Sequence, residues 1–364
     1  TEGTGATIGA SDYYADASGP YGYVSENHAE NKQLFSEAID VANAGWNSTA
    51  TANFDTDVST VDSPINGVPF YKVNALTVAA TQRRPFGENI SKTAVAEDWT
   101  ASFTVKAGTM PFAMIGIYNG GASAYCRVWF DTSDWSVVAA SEAAVGMTFV
   151  GTTSVLMADG TARISITATS DATTNLRAVF AGTDSSGSTN STPASAGDVM
   201  IYGIGVQLEL GSSPSSYIKT EGSTATRTAD VLTYSDTNNI EDAAGTIIAE
   251  ASTFWAAGED VRIVARDDGG RVFMGEPTRA RVRDGSTTVF SDYGTSLQNN
   301  PTQVAGAWGD AMTAYFAGVA GTPAAYNGSF GVGAIGIGCR NNGISQTNGT
   351  VRNVAIYSTE GATL

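Results

Sequence analysis

A chain of 364 residues is long enough for two domains with separate cores, and its 36 acidic against 19 basic residues leave a formal charge of −17. That sign disfavours sequence-independent nucleic-acid binding and docking on anionic membrane surfaces, and no run of about 18 apolar residues offers a membrane span. With 15% charged residues, 42% hydrophobic and 41 glycines amid abundant Ser, Thr and Ala, the composition suits short strands joined by turns, and the expected class is all-β.

Residues 1–31 form a Gly/Ala/Ser-rich stretch without regular period, expected to be an N-terminal arm that serves assembly. Tyr13, Tyr14, Tyr21 and Tyr23 are its candidate contacts with a neighbouring copy. The first residues have neither a basic n-region nor an apolar h-region, so no signal peptide is expected.

From Lys32 to Leu232 the pattern is that of a first β-domain, entered through Leu34, Phe35 and Trp46, with 35–43 the one stretch that suits a short helix. Strands are expected at 68–77, 99–106, 112–118, 125–130, 135–139, 149–157, 161–168, 176–181 and 199–210, separated by Asn, Asp, Gly and Pro turns. Residues 183–197 read as an exposed Ser/Thr/Gly loop. Antiparallel strands at such spacing predict a sandwich. The second domain, 233–364, repeats the theme with strands at about 247–251, 262–265, 271–274, 280–283, 287–291, 303–307, 313–316 and 349–357.

Several segments carry a resemblance. "KQLFSEAIDVANAGWNSTATANFDTD", "FTVKAGTMPFAMIGIYNG", "YCRVWFDTSDWSVV" and the junction "GVQLELGSSPSSYIKTEGSTATRTADVL" occur in an order that resembles tailed-phage and prophage virion structural proteins. In those, a carbohydrate-binding-module-like jelly roll precedes a concanavalin-like sandwich. The last part, "GAIGIGCRNNGISQTNGTVRNVAIY", is similar to the end of concanavalin-like or laminin-G-like sandwiches. The resemblance implies two tandem antiparallel β-sandwiches on the outer surface of a virion, in a fibre, spike or decoration protein. It also implies other virion proteins as partners, a homo-oligomer with a trimer favoured, and host-surface polysaccharide as a contact.

Chemistry is sparse. His28 is the single histidine and sits in the arm, apart from any nucleophile that it would have to serve. With it, Cys126 and Cys339 are too few and too separated for a closed zinc site, and each cysteine reads as a buried small hydrophobe. Glycoside hydrolysis needs only two carboxylates, so Glu97, Asp131, Glu209 and Glu250 keep a polysaccharide depolymerase as an alternative. Glu209 reads more simply as a residue that hydrogen-bonds the junction, and the expectation is no enzyme. Turns such as Asp55-Thr56-Asp57, Asp131-Thr132-Ser133-Asp134 and Asp236-Thr237-Asn238-Asn239 offer oxygen ligands. Carbohydrate-binding jelly rolls often carry a structural calcium, although turn formation explains these residues more simply. No other cofactor is implied.

Binding is the remaining idea. Alternation puts Cys126, Val128 and Phe130 on one face of their strand and Tyr125, Arg127 and Trp129 on the other. An aromatic–Arg–aromatic face suits the apolar side of a sugar ring, and it suits equally a contact with another subunit. A purely structural capsid or tail protein is therefore the second alternative.

Overall fold

The computed structural model describes residues 23–26, 28–39, 46–47, 53–65, 68–121, 123–142, 146–157, 159–234, 241–253, 261–266, 272–276, 279–284, 286–292, 297, 301–328, 330, 334–339, 347 and 349–357. Among them every regular element is a β-strand in an antiparallel sheet, so the chain is all-β. The helix expected at 35–43 is absent over its described residues, 35–39. Distant partners take the backbone groups it would use: Glu88 accepts from Leu34 N–H, Gly222 N–H donates to Leu34 O, and Val206 N–H donates to Ser36 O.

Ala29–Arg227 falls in one compact unit built on two sheets. One sheet runs Thr148–Leu156, Ala162–Thr169, Asp98–Ala107, Val199–Leu210, Pro69–Ala75, Phe54–Asp62. The other runs Val137–Glu142, Tyr125–Asp131, Phe112–Asn119, Asn175–Thr183, Phe86–Gly87, Trp46–Asn47. Alternating residues of each sheet fill the core between them. Phe103, Ile164 and Leu208 come from the first sheet, and Ile115, Val128 and Phe180 from the second; all are fully buried. Phe180 touches both sides of this core, 5.5 Å from Phe103 and 6.1 Å from Trp46 between ring centroids. Each such side chain contributes about 1.5–3 kcal/mol through burial.

The junction after Val199–Leu210 is held by three polar side chains. Asn31 donates to Val206 O (3.1 Å) and Ile218 O (2.8 Å) and accepts from Leu208 N–H (3.2 Å) and Gln33 N–H (3.1 Å). Gln207 accepts from Ile218 N–H, and Glu209 accepts from Ser215 N–H at 2.9 Å. Such bonds let an irregular crossing run through the interior without orphaned backbone groups. A bulge between Ile204 and Gln207 starts it, with Gly205 at φ 62°, where an added Cβ would lie 2.4 Å from Ile65.

The second compact unit contains Thr228–Leu364 together with residues 23–28. One sheet runs Tyr23–Ser25, Gly349–Tyr357, Gly245–Thr253, Thr302–Trp308, Ala311–Phe316, Val319–Ala320. The other runs Leu232–Tyr234, Ile335–Ile337, Val261–Ala265, Val272–Glu276, Arg279–Arg283, Thr288–Asp292. Ile247, Ala249, Val282, Val304, Met312 and Phe316 belong to its core.

Two sequence boundaries move. The compact units divide at 227/228 rather than 232/233, because Leu232–Tyr234 pairs with Ile335–Ile337. The arm expected over 1–31 is built into the fold at its end. The Tyr23–Ser25 backbone pairs with Gly349–Tyr357, and Ala29–Asn31 pairs with Ala225–Arg227. Strands of three residues are too short to show a period, which is why they read as arm. Tyr13, Tyr14 and Tyr21 lie outside the described residues.

Candidate functional site

The outward face of the Tyr125–Asp131 sheet is assembled by register. Tyr118 stands opposite Tyr125 on one side and Arg177 on the other. In the next row Gly116 stands opposite Arg127 and Val179, and Val179 opposite Phe86. Met114 follows, between Trp129 and Ala181. Gly116 is needed here: an added Cβ would lie 2.8 Å from Cys126 O and 3.1 Å from both Tyr118 Cε2 and Val179 Cγ1. The Tyr118 ring therefore reaches across a position that any other residue would occupy.

Phe86, Met114, Tyr118, Trp129, Val179 and Ala181 form a small apolar cluster of their own. Trp129 is fully buried in it, and its indole N–H donates to Ser188 O at 2.7 Å. Trp129, expected on a glycan- or subunit-binding face with Tyr125 and Arg127, has its ring spent on packing within this unit. Tyr125 and Arg127 are half-buried, with the Arg127 guanidinium 3.5 Å from the centroid of the Tyr125 ring. Tyr23 contributes backbone pairing to the other unit.

Two further arginines join Arg127. Arg84 stands 5.1 Å from the Phe86 ring centroid and 5.3 Å from that of Tyr118, and Arg177 stands 4.3 Å from that of Phe86. Arg84 donates to Tyr118 Oη at 2.6 Å, and Arg127 Nε donates to the same oxygen. Burial pushes the Tyr118 hydroxyl above its ordinary pKa, against the pull of the two guanidinium groups. Burial lowers the pKa of Arg84 and of Arg177, and for Arg84 the charges of Arg127 and Arg177 act in the same direction. The guanidinium group of arginine is a cation at neutral pH. Among the described residues, no carboxylate forms an ion pair with any of them.

The sequence singles out Tyr125 and Arg127 but not Arg84, Arg177, Tyr118 and Phe86, which share this face. The signals were an arginine interrupting the apolar alternation of Asn175–Thr183 and the pair Arg83-Arg84 before Phe86. That pair splits. Arg83 is fully buried and donates to Asn53 O (3.0 Å), Thr77 O (2.6 Å) and Ala79 O (2.8 Å), a structural clasp, while Arg84 joins the aromatic face.

The carboxylates weighed for hydrolysis are engaged separately. Glu209 holds the junction, Asp131 accepts from Ser133, Glu97 from Thr93, and Glu250 from Arg352 and Asn353. His28 is exposed. Among the described residues, no group of three or more His, Cys, Asp or Glu is placed to hold a metal ion. Asp131 closes its own turn, the simpler role expected for such residues, and 236–239 lie outside the described residues.

No family model and no curated protein matches the chain. Among solved structures it is similar to domains LG4-5 of the mouse laminin alpha1 chain, at 9% identity over 74% of this chain and 85% of that one, with a TM-score of 0.25. It is also similar to the LG1-3 region of the laminin alpha2 chain, at 10% identity over 79% of this chain and 66% of that one, with a TM-score of 0.27. Likeness at these scores carries no functional weight, and the all-β assignment stands on the paired strands themselves.

Proposed function

We propose that the protein is a non-enzymatic surface component of a tailed-phage virion, a fibre, spike or decoration protein whose first unit contacts host-surface glycans. The observation that carries this reading is the half-buried Tyr125–Arg127 pair, the guanidinium 3.5 Å from the ring centroid and Tyr125 packed against a cluster that holds buried aromatic rings. A flat ring beside a fork of N–H donors matches a sugar, which has an apolar face and a rim of hydroxyls. The order of sequence segments that resemble virion proteins supports the setting, with other virion proteins and further copies of the chain as partners.

Glycan-array binding by the full chain tests the reading. Hits are expected with the native protein and should be lost in Tyr125→Ala, with circular dichroism unchanged; silence across the array overturns it. Tyr125 is the better probe than Trp129, whose truncation would disturb packing. A purely structural role in binding other virion subunits is the second reading. Val137 and Val138 on one edge strand, and Val150 and Leu156 on another, are exposed and favour it.

A further inference from the structure

We propose that the saccharide bound at this face is an acidic one, its carboxylate received by the half-buried Arg84, Arg127 and Arg177. The proposal rests on the glycan reading and names the class of ligand.

The donors outnumber what the protein uses. Each guanidinium carries five N–H donors. Arg84 and Arg127 each commit one to Tyr118 Oη, and among the described residues Arg177 commits none to a protein acceptor. Tyr118 has two acceptor sites and one O–H. Two arginines donate to its oxygen and the side chain is fully buried, so Tyr118 positions the guanidinium groups and is not itself open to a ligand.

Stacking on aromatic rings explains where each arginine lies, because a cation over a ring is worth about 0.5–2 kcal/mol. It does not explain why three like charges converge without a carboxylate between them in a chain of net charge −17. Like charges at close range oppose one another, and a bound anion reverses that sign. A carboxylate is the anion of matching shape, since two parallel N–H···O bonds fit the fork of arginine.

The size of the charge decides between polymers. A densely charged polyphosphate needs an extended basic track, and it would meet the acidic remainder of this chain. A polysaccharide with one carboxylate per repeat needs only a local cluster. At physiological ionic strength the rest of the protein is screened beyond about 8 Å.

The test is a glycan array bearing neutral, uronic-acid and sulfated saccharides, followed by titration of each uronic-acid hit against the same saccharide with its carboxyl groups reduced to alcohols. Reduction alters the ligand alone, so the fold of the protein does not enter. The expected result is binding to uronic-acid saccharides, weakened about 10- to 100-fold by reduction and by a similar factor in Arg177→Gln. Arg177→Lys should recover part of the loss, having the charge without the fork. Hits that are only neutral or sulfated, or that survive reduction, overturn the carboxylate as the group recognised and leave the glycan reading standing. Silence across the whole array overturns both. If the array is silent and Arg177→Gln lowers the mass of the assembled protein, the arginines belong to a contact between subunits.

Discussion

Truncating Asn31 separates a dispensable arm from a structural residue. The side chain is fully buried and makes four hydrogen bonds, two donated to Val206 O and Ile218 O and two accepted from Leu208 and Gln33 N–H groups. In Asn31→Ala each bond lost removes about 1 kcal/mol, and every backbone group left buried without a partner costs about 1–3 kcal/mol. Water entering the vacated space offsets part of this, so the expected loss is about 3–5 kcal/mol from a domain stability of about 5–15 kcal/mol. Urea unfolding followed by tryptophan fluorescence reports it, since Trp46, Trp99, Trp129 and Trp135 all lie in the first unit. At a slope of about 2 kcal/mol per molar, the midpoint should fall by about 1.5–2.5 M with the slope unchanged. Asn31→Asp should be as damaging, because a carboxylate turns an acceptor toward two carbonyls. A midpoint shift below about 0.5 M in both variants would refute the structural role of Asn31 and return residues 29–31 to the status of an arm.

Phe180→Ala, which removes the ring shared between Phe103 and Trp46, should cost about 3–5 kcal/mol in the same assay. Gly116→Ala should destabilise the first unit by about 1–3 kcal/mol, because its Cβ is crowded by Cys126 O, Tyr118 and Val179. Saccharide binding should fall with it as the Tyr118 ring is displaced. In the second unit, the hydrogen bond from Arg352 holds the Glu250 carboxyl below its ordinary range, helped by Asn353 and opposed by burial. A depressed folded pKa means stability that is present above the unfolded value of about 4.3 and lost as pH falls through the folded one. Acid titration of Glu250→Gln should therefore show a smaller loss over that window than the native protein, and an identical loss would refute the assignment. The buried Cys126 and Cys339 should resist alkylation until the protein unfolds, and burial pushes the Cys339 thiol up as well.

Period-two alternation made much of this legible. It separated Cys126, Val128 and Phe130 from Tyr125, Arg127 and Trp129, and the structure places the first set in the core and the second on the outward face. Alternation assigns a face, but whether that face is open depends on what crosses it. Trp129 is bonded by Ser188, from a Ser/Thr/Gly stretch with no pattern to announce it. Arg83 and Arg84 differ in role because one reaches Asn53 O and Ser191 O and the other the Tyr118 hydroxyl, and those partners come from distant segments. Trp135 reads as the start of a strand, yet it sits in a turn at φ 61°, buried, with its N–H on Gly160 O. The packing that holds a bulky residue in that strained region is invisible in local sequence.

The pairing of Tyr23–Ser25 with Gly349, Thr350 and Val351 has a consequence in time. Synthesis at about 5–20 residues per second puts roughly 15–65 s between the appearance of residue 23 and that of residue 351. In that interval the strands of Ala29–Arg227 acquire their sheet partners, while Tyr23–Ser25 waits with its hydrogen-bonding edge unoccupied. The first strand to be made among the described residues is thus among the last to be paired, and a chain released before residue 349 would leave that edge without its partner.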